Sequence, residues 1–460
     1  MASLVLGIDS STQSTKALLV DADDGTVVSE ASAAHPDGTA VDPRAWLDAC
    51  DTAAGPLLER ADAVAVGGQQ HGMVALDAGG EPVHDAILWN DTRSAAAATD
   101  LIAEIGGPEA CARAVGSVLV ASFTSTKLRW LRDHEPDAAG RVERVLLPHD
   151  YVSWHLTGRQ ADPFTDRGDA SGTGYFSTVD DAWRPELAES ALGRAVELPR
   201  LVAPGSVAHA DGVVIAGGTG DNMAAALGMG LEPGDVLVSI GTSGVASAVV
   251  TDPVADPTGT ITGFADATGG YLPMATTMNA ARILDLQARL LDVDHAELAR
   301  LALAAPSGAH GLTVLPYYDG ERTPNRPTAT GTWSGLTTST TREDVARAAV
   351  EALLCSLADA VDHLRAYSGG RVGRVLMIGG AARNAAVRAL APAILGSPVH
   401  VPPDRQYVAL GAARQAAWAL HGGDAPPDWP RPGIDVLTAD PTPDVRETYA
   451  RLRDRTTAWI

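Results

Sequence analysis

The chain has 460 residues, too many for one ordinary hydrophobic core, so two domains are expected. Its formal net charge of −23 argues against binding to nucleic acid or to an anionic membrane surface, although a small anionic substrate could still bind in a locally positive pocket. No apolar run reaches the length of a membrane span and no basic segment precedes an apolar one at the N-terminus, so we expect a cytoplasmic protein with no membrane partner.

The first predicted elements are two apolar strands joined by a polar turn in "LVLGIDSSTQSTKALLV", residues 4–20. The segment "VLVSIGTSGVASAVV", residues 236–250, repeats this strand–turn–strand pattern. Turns rich in Gly, Ser and Thr expose N–H groups and hydroxyls that bind phosphate oxygens. One such turn alone is more often a plain hairpin, but two of them predict a triphosphate held from both sides of a cleft.

Two further pairs of segments recur in the same order. Residues 63–72, "AVAVGGQQHG", resemble residues 374–384, "RVLMIGGAARN", because each is a short apolar strand that ends in Gly-Gly. "GGTGDNMAAALG" and "RQYVALGAAR" both lead into helices of small residues. The three repeated features predict a duplicated α/β domain. The turn "LEPG" at 231–234 places the boundary between an N-terminal domain of residues 1–232 and a C-terminal domain of residues 233–460.

Other nucleotide-binding motifs do not fit the glycine-rich turns. Neither strand–turn–strand unit contains the G-x-x-x-x-G-K-[ST] pattern of a P-loop enzyme. "GGTGDNM" differs from a dinucleotide-binding motif because Met223 replaces its last small residue and Asp221 would repel a pyrophosphate. The sequence therefore argues against a dehydrogenase.

Asp221 stands between three glycines and a predicted helix of small residues. From position alone it could be a helix cap or a group that takes part in a reaction, because both roles suit a carboxylate at a helix N-terminus. Gln70 and His71 follow another predicted strand and concentrate donors and acceptors, which suits a polyol ligand. The three cysteines, Cys50, Cys111 and Cys355, have no metal-binding spacing and are expected to be buried thiols.

Several long segments resemble the FGGY carbohydrate kinases, and the resemblance covers essentially the whole chain. "SFTSTKLRWLRDH" (122–134) and "GTWSGLTTSTTREDVARAAVE" (331–351) are similar to the two family signatures, and "LPYYDGERTP" (315–324) to the segment before the second one. "GGQQHGMVALD" (67–77) and "AILWNDTR" (86–93) are similar to family members that act on D-xylulose. The resemblance implies two duplicated actin-like, ribonuclease H-like α/β domains with an interdomain cleft.

The implied reaction is transfer of the γ-phosphate of ATP, with Mg²⁺, to the 5-hydroxyl of D-xylulose. The resemblance makes Asp221 the proton acceptor and Asp9 the residue near Mg²⁺. It assigns the other site residues to the sugar (Gln70, His71, Trp89, Asn90 and Asn222) and to the nucleotide (Thr12, Gln13, Ser14, Lys16, Gly241, Thr242, Gly379, Gly380 and Asn384). A kinase for another ketose or polyol, such as ribulose, and an ATPase like actin or the chaperones are the alternatives. A homodimer is compatible with the sequence.

Three signature residues receive structural interpretations instead. Lys127 and Trp130 fall three positions apart on a predicted helix, which favours packing. Arg322 follows Glu321 and is predicted to form a structural ion pair.

Overall fold

The computed structural model describes residues 3–368, 373–431 and 433–459, which form two compact units. Unit 1 comprises the described residues up to Leu231 together with Thr251–Leu272 and Arg405–Arg431. Unit 2 comprises Glu232–Val250, Pro273–Asp404 and the described residues from Gly433 onward. The two later segments of unit 1 follow the boundary that we place at 231–234, so a single cut in the sequence does not separate the units.

Unit 1 contains fifteen strands within the described residues. They are β1 (Leu4–Ser10), β2 (Ser14–Asp21), β3 (Val27–Ala34), β4 (Ala40–Val41), β5 (Ala63–Gly68), β6 (Val74–Leu76), β7 (Ala86–Ile87), β8 (Arg144–Leu146), β9 (Phe164–Asp166), β10 (Phe176–Ser177), β11 (Ala182–Trp183), β12 (Arg200–Val202), β13 (Val207–Asp211), β14 (Val213–Ala216) and β15 (Thr219–Gly220). Its helices in chain order are α1 (Arg44–Leu58), α2 (Ala95–Ile105), α3 (Pro108–Val115), α4 (Thr124–His134), α5 (Pro136–Ala139), α6 (Pro148–Leu156), α7 (Arg167–Ala170), α8 (Pro185–Leu192), α9 (Asp221–Met229) and, after the helices of unit 2, α14 (Tyr407–His421).

Unit 2 has fewer elements in the part of the chain that the structure describes. Its strands are β16 (Val236–Ile240), β17 (Gly244–Ala248), β18 (Met274–Thr277), β19 (Thr313–Leu315), β20 (Thr332–Ser334), β21 (Val375–Ile378), β22 (Val399–Val401) and β23 (Asp435–Leu437). Its α-helices are α10 (Ala281–Leu291), α11 (His295–Ala304), α12 (Arg342–Tyr367), α13 (Ala385–Leu395) and α15 (Pro443–Arg455), and its 3₁₀ turns are Ala309–Gly311, Gly380–Arg383 and Thr456–Trp459.

The main sheets of the two units share one topology. In unit 1 the strand order is β13-β14-β5-β1-β2-β3, and in unit 2 it is β18-β17-β16-β21-β22-β23. Each sheet has three consecutive antiparallel strands, then two parallel pairings, then an antiparallel edge strand. The shared pairing pattern confirms the predicted duplication of an α/β domain.

Both faces of the sheet in unit 1 are covered by helices. Strand β1 is buried along almost its whole length, which its apolar run "LVLGI" predicts for a strand with two covered faces. Helix α1 covers one face, and α14 lies on the other so closely that a Cβ at Gly7 would sit 1.9 Å from the carbonyl oxygen of Ala409. Glycine is therefore required where α14 crosses β1.

Helices α9 and α14 also meet through glycine. A Cβ at Gly411 would lie 1.8 Å from the carbonyl oxygen of Ala224, and one at Gly228 would lie 2.1 Å from that of Tyr407. The small residues that mark both helices in the sequence permit this backbone contact. Both helices belong to unit 1 by their packing, although α9 comes after β14 and α14 after β22, which hold the same place in the two sheets.

All three cysteines are buried and unbridged, as predicted. Across the described part of the chain, no helix combines the length and the apolar character that a membrane crossing requires.

Candidate active site

Two glycine-containing strand ends bring the predicted sugar residues together in unit 1. Strand β15 pairs with the end of β5 in parallel, with Gly220 opposite Gly68. The chain segments that follow parallel strands emerge at the same edge of a sheet. Gln70, which follows β5, therefore meets Asp221 and Asn222 at the start of α9. The Asn222 side-chain amide donates to Oε1 of Gln70 (2.9 Å) and to Oδ1 of Asp221 (3.0 Å).

The Asp221 carboxylate has an environment suited to proton transfer. It is the first residue of α9, and the backbone N–H of Asn222 donates to its Oδ1 at 2.8 Å. Burial raises the pKa of Asp221 to about 7, and the negative charges of Asp9 and Asp169 act in the same direction. A carboxyl group with a pKa near neutrality can accept a proton at physiological pH and release it again.

Asp9 lies opposite Lys16 at the base of the first Ser/Thr turn. The two residues are cross-strand partners in β1 and β2, and Lys16 Nζ is 4.0 Å from Asp9 Oδ2. The hydroxyl of Ser11 donates to Oδ1 of Asp9. Burial raises the pKa of Asp9, whereas Ser11 and Lys16 lower it. The tip of the turn carries Thr12 and Gln13 and leads into β2 at Ser14.

Trp89 connects the predicted sugar site with this Ser/Thr turn. Its indole Nε1 donates to Oγ1 of Thr12 at 2.9 Å. The Trp89 side chain is 46% exposed and the next residue, Asn90, is also exposed, so both could still contact a ligand. The structure thus joins two loops that are 77 residues apart in the sequence.

His71 has a backbone conformation that is unusual for a residue with a side chain. Its φ is 68°, in the left-handed region. Its Nδ1 lies 2.7 Å from the carbonyl oxygen of Gly172, and its ring packs against Phe123 and Phe264, with centroids 5.2 Å and 5.6 Å away. Phe264 belongs to the later segment Thr251–Leu272, which the sequence did not connect with this site.

A buried charge cluster adjoins Gly220, directly before Asp221. His149 contacts Asp169 through Nδ1 (2.7 Å) and Asp150 through Nε2 (3.2 Å), and all three side chains are fully buried. Burial lowers the pKa of His149, but Asp150 and Asp169 outweigh it and raise that pKa to about 9. A Cβ at Gly220 would lie 3.1 Å from Oδ1 of Asp169. Sequence reasoning missed this cluster, because only the fold brings Asp169 to His149, 20 residues earlier in the chain.

Four of the five predicted nucleotide residues of unit 2, all except Gly379, line one cavity of about 620 Å³. Gly241 and Thr242 form the turn after β16, and their carbonyl oxygens accept from the N–H groups of Ala281 (2.9 Å) and Ala280 (3.2 Å). The cavity is lined by Ile240, Gly241, Thr242, Ala281, Leu284, Asp285, His295, Ala296, Ala299, Gly380, Ala381, Arg383, Asn384 and Ala385. The sequence offered no signal for the residues from α10 and α11, because their apolar periodicity also fits ordinary core helices.

After β21, Gly379 packs against Ile240 of the cavity wall, and Asn384 lines the cavity itself. Gly379 has a φ of 97°, and a Cβ there would lie 2.6 Å from the carbonyl oxygen of Ile240. The side-chain oxygen of Asn384 accepts from the N–H groups of Ala386 (3.0 Å) and Val387 (3.2 Å) and so caps α13. A Cβ at Gly380 would meet nothing within 4 Å, so that glycine leaves room for a ligand.

Two structural interpretations from the sequence need correction. Lys127 does not simply pack on α4, because its buried ammonium donates to the carbonyl oxygens of His71 (2.6 Å) and Ser122 (2.5 Å). Arg322 forms no ion pair among the described residues, because the Glu321 carboxylate accepts instead from backbone N–H groups and from Asn279. Trp130 packs as predicted, with the Arg93 guanidinium 4.9 Å above its ring.

Asp9 is the carboxylate of unit 1 that could hold a magnesium ion. Within the described ranges, no group of three or more His, Cys, Asp or Glu residues could enclose a metal ion. Mg²⁺ is usually held by one or two carboxylates together with substrate phosphates. Asp9 lies beside the Ser/Thr turn, opposite Lys16, and could supply such an oxygen ligand.

Known proteins resemble this chain over most of its length. The chain is 47% identical to the xylulose kinase of Streptomyces coelicolor over 92% of this chain and 89% of that protein, and 45% identical to that of Streptomyces rubiginosus over the same shares. The crystal structure of a xylulose kinase from Bifidobacterium adolescentis superposes with a TM-score of 0.93 at 44% identity, covering 98% of this chain and 99% of that one. Residues 4–228 match the N-terminal domain and residues 236–420 the C-terminal domain of one family, so the chain belongs to the FGGY family of carbohydrate kinases.

Proposed function

We propose that this protein transfers the γ-phosphate of ATP to the 5-hydroxyl of D-xylulose. The observation that carries the proposal is the contact group of Gln70, Asn222 and Asp221, which places a carboxylate of raised pKa beside two amides. A polyol requires such a mixture of donors and acceptors, and a phosphoryl acceptor requires a base near its hydroxyl. The relatives with 45–47% identity bear the name xylulose kinase.

The sugar contacts Gln70, His71 and Asn222, while Trp89 and Asn90 bound the pocket. A hydrogen-bonding site rejects a ligand that leaves its buried polar groups unpaired, so these side chains select among polyols. Gln70 Nε2 is buried and makes no hydrogen bond within the described part of the chain, which makes it available to a sugar hydroxyl.

Asp221 accepts the proton of the reacting hydroxyl. As the sugar oxygen forms its bond to the γ-phosphorus, the bond from that phosphorus to the β–γ bridging oxygen breaks, and ADP leaves with the electron pair. The hydroxyl proton passes to a carboxylate oxygen of Asp221, while Asn222 holds that side chain through its amide and its backbone N–H.

Each unit offers a Ser/Thr turn for the phosphates of ATP. The hydroxyls and N–H groups of Thr12, Gln13 and Ser14, with the Lys16 ammonium, bind phosphate oxygens, as do Gly241 and Thr242. The adenosine occupies the cavity beside Gly379, Gly380 and Asn384. Asp9 would hold Mg²⁺, which neutralises phosphate charge when it is bound.

Because the reaction consumes ATP, we place the protein in the cytoplasm. Light scattering would test the predicted homodimer.

The test is ADP release by the purified protein with a panel of sugars. We expect rapid release with D-xylulose and a product whose phosphate is on O5 by phosphorus and proton NMR. Faster turnover of D-ribulose, glycerol or gluconate would replace the proposed substrate with another polyol. ADP release that is equally fast without any sugar would instead indicate an ATPase of the actin or chaperone kind.

A further inference from the structure

The strained backbone of His71 is held by three contacts. The left-handed conformation is unfavourable for an L-residue, so a φ of 68° persists only where the surroundings impose it. The carbonyl oxygen of His71 accepts from Lys127 Nζ at 2.6 Å and from Thr124 Oγ1 at 3.2 Å. Its Nδ1 meets the carbonyl oxygen of Gly172 at 2.7 Å. Hydrogen bonds therefore fix both the backbone carbonyl and the imidazole ring of His71.

Lys127 is an unusual choice for a residue that only fills space. Its side chain is completely buried in the first turns of α4, and burial lowers its pKa well below the ordinary value, with only the charge of Asp91 opposing the shift. Burying an amine is unfavourable unless its N–H groups find acceptors. Here they find the carbonyl oxygens of His71 and Ser122. A Leu or Met would fill the same volume without burying an amine. The hydrogen bonds from the amine to these two carbonyl oxygens therefore distinguish Lys127 from a residue that only packs.

The orientation of the His71 peptide determines what the ring presents to a ligand. Because Nδ1 faces a carbonyl oxygen, it carries the proton of the neutral imidazole, and Nε2 is then the acceptor. Phe123 and Phe264 limit rotation of the ring. If the carbonyl lost its donors, the peptide could leave the left-handed region, and the Cα–Cβ bond that aims the ring would turn with it.

We propose that Lys127 is a positioning residue for sugar binding: its amine holds the His71 carbonyl so that the imidazole accepts a hydrogen bond from a sugar hydroxyl. This inference rests on the role of His71 in the proposed function. Lys127 touches neither substrate and acts through His71.

Lys127→Met tests the inference, because it keeps the length of the side chain and removes the donors. We expect the KM for D-xylulose to rise about tenfold, as for a lost substrate hydrogen bond, while the KM for ATP and kcat change less than about twofold. In a His71→Asn background, Lys127→Met should raise the sugar KM no further, because residues that act as one unit are not additive.

Arg414→Met is the matched control. Arg414 is also a buried cation in unit 1 that donates to two carbonyl oxygens, those of Leu227 and Pro427, both at 2.8 Å. Its loss should lower the melting temperature without a selective effect on the sugar KM. If Lys127→Met does not fold, Thr124→Val removes the other donor to the same carbonyl and should produce the same selective rise on a smaller scale.

An unchanged sugar KM in the Lys127 variant, or equal rises in the KM for sugar and ATP, would refute the positioning role. Full additivity with His71→Asn would also refute it. If the wild type prefers another polyol over D-xylulose, the proposed substrate is wrong, yet the KM for that polyol still tests Lys127. The two proposals therefore fail separately.

Discussion

The side chain of Asn222 donates to Oε1 of Gln70 at 2.9 Å, across 152 residues of sequence. The same amide nitrogen is 3.0 Å from Oδ1 of Asp221. One amide thus links the end of β5 to the start of α9 and sets the position of the carboxylate relative to the proposed sugar contacts. The first prediction concerns that carboxylate.

Asp221→Asn should fold and bind both substrates but turn over roughly 10²–10⁴-fold more slowly, the range for loss of a positioned general base. Asn preserves the shape and a hydrogen-bond acceptor for the N–H of Asn222, but it cannot take a proton at neutral pH. Steady-state ADP release and calorimetric sugar binding measure the two effects.

The control for that variant is Asp77→Asn, since Asp77 also accepts from backbone N–H groups, those of Gly79 (2.8 Å) and Glu81 (3.0 Å), in an exposed turn of the same unit. It should remain fully active. A near-normal rate for Asp221→Asn would show that Asp221 is only a helix cap.

The pH dependence of kcat/KM for the sugar should show an acidic limb near pH 7. Burial and the charges of Asp9 and Asp169 raise the pKa of Asp221 to about 7, and the protonated carboxyl cannot accept the hydroxyl proton. Activity should therefore fall as the pH decreases through that value, with ATP saturating. A flat profile between about pH 5.5 and 8 would contradict the assignment of Asp221 as the base.

His71→Asn should raise the KM for D-xylulose and leave the KM for ATP nearly unchanged. Asn tolerates the left-handed backbone better than Ala does, so this variant removes the imidazole with less added strain. Losing a partner for a sugar hydroxyl costs about 1–3 kcal/mol, or roughly 5- to 150-fold in the KM for D-xylulose. Separate titrations of sugar and ATP provide the comparison, and parallel losses for both would make His71 a structural residue.

Gly380→Ala should keep the melting temperature of the wild type and raise the KM for ATP selectively. The added methyl group meets no protein atom within 4 Å but faces the cavity of unit 2. Gly379→Ala is the contrasting variant. Its Cβ would lie 2.6 Å from a carbonyl oxygen at a φ of 97°, so it should also destabilise the fold. An unchanged KM for ATP in Gly380→Ala would show that the nucleotide does not bind beside Gly380.

Thermal stability should fall as the pH rises from about 6 to 9. In the folded protein the pKa of His149 is raised to about 9, against 6.5 for the free side chain. Protonation of His149 therefore contributes its full stabilisation of the folded state below pH 6.5, and that contribution is lost as the pH rises through about 9. Burial also raises the pKa of Asp150 from 3.8 to about 7 and that of Asp166 to about 6. All three groups bind protons more tightly when folded, so each favours the folded state at the lower pH.

Melting temperatures of Asp150→Asn across this pH range check the contribution of the cluster. The variant should show a smaller decline, because it removes one titrating carboxyl and the main charge that raises the pKa of His149. Asp51→Asn removes the exposed partner, at 2.8 Å, of a half-buried histidine outside the cluster, His155, and should behave like the wild type. A wild-type melting temperature that rises toward pH 9 would oppose the prediction.

The sequence by itself determined the repeated strand–turn–strand units, the α/β class and the family, because apolar runs and Gly/Ser/Thr turns are local patterns. It also singled out the segments that hold Gln70, Asp221 and Gly379, since a strand that ends in glycine brings backbone or a short side chain close to a ligand. These features depend on a few neighbouring residues, so they can be recognised without knowledge of distant contacts.

Only the tertiary structure decided which distant residues complete the site. It placed α14 in unit 1, directed Lys127 to the carbonyl of His71, and brought Phe264 against the imidazole. It also brought Asp169, 20 residues further along the chain, against His149 and its neighbour Asp150. Each of these contacts follows from the pairing of strands and the packing of helices far apart in the chain, and a buried polar group gains its role only from the partners that this packing supplies.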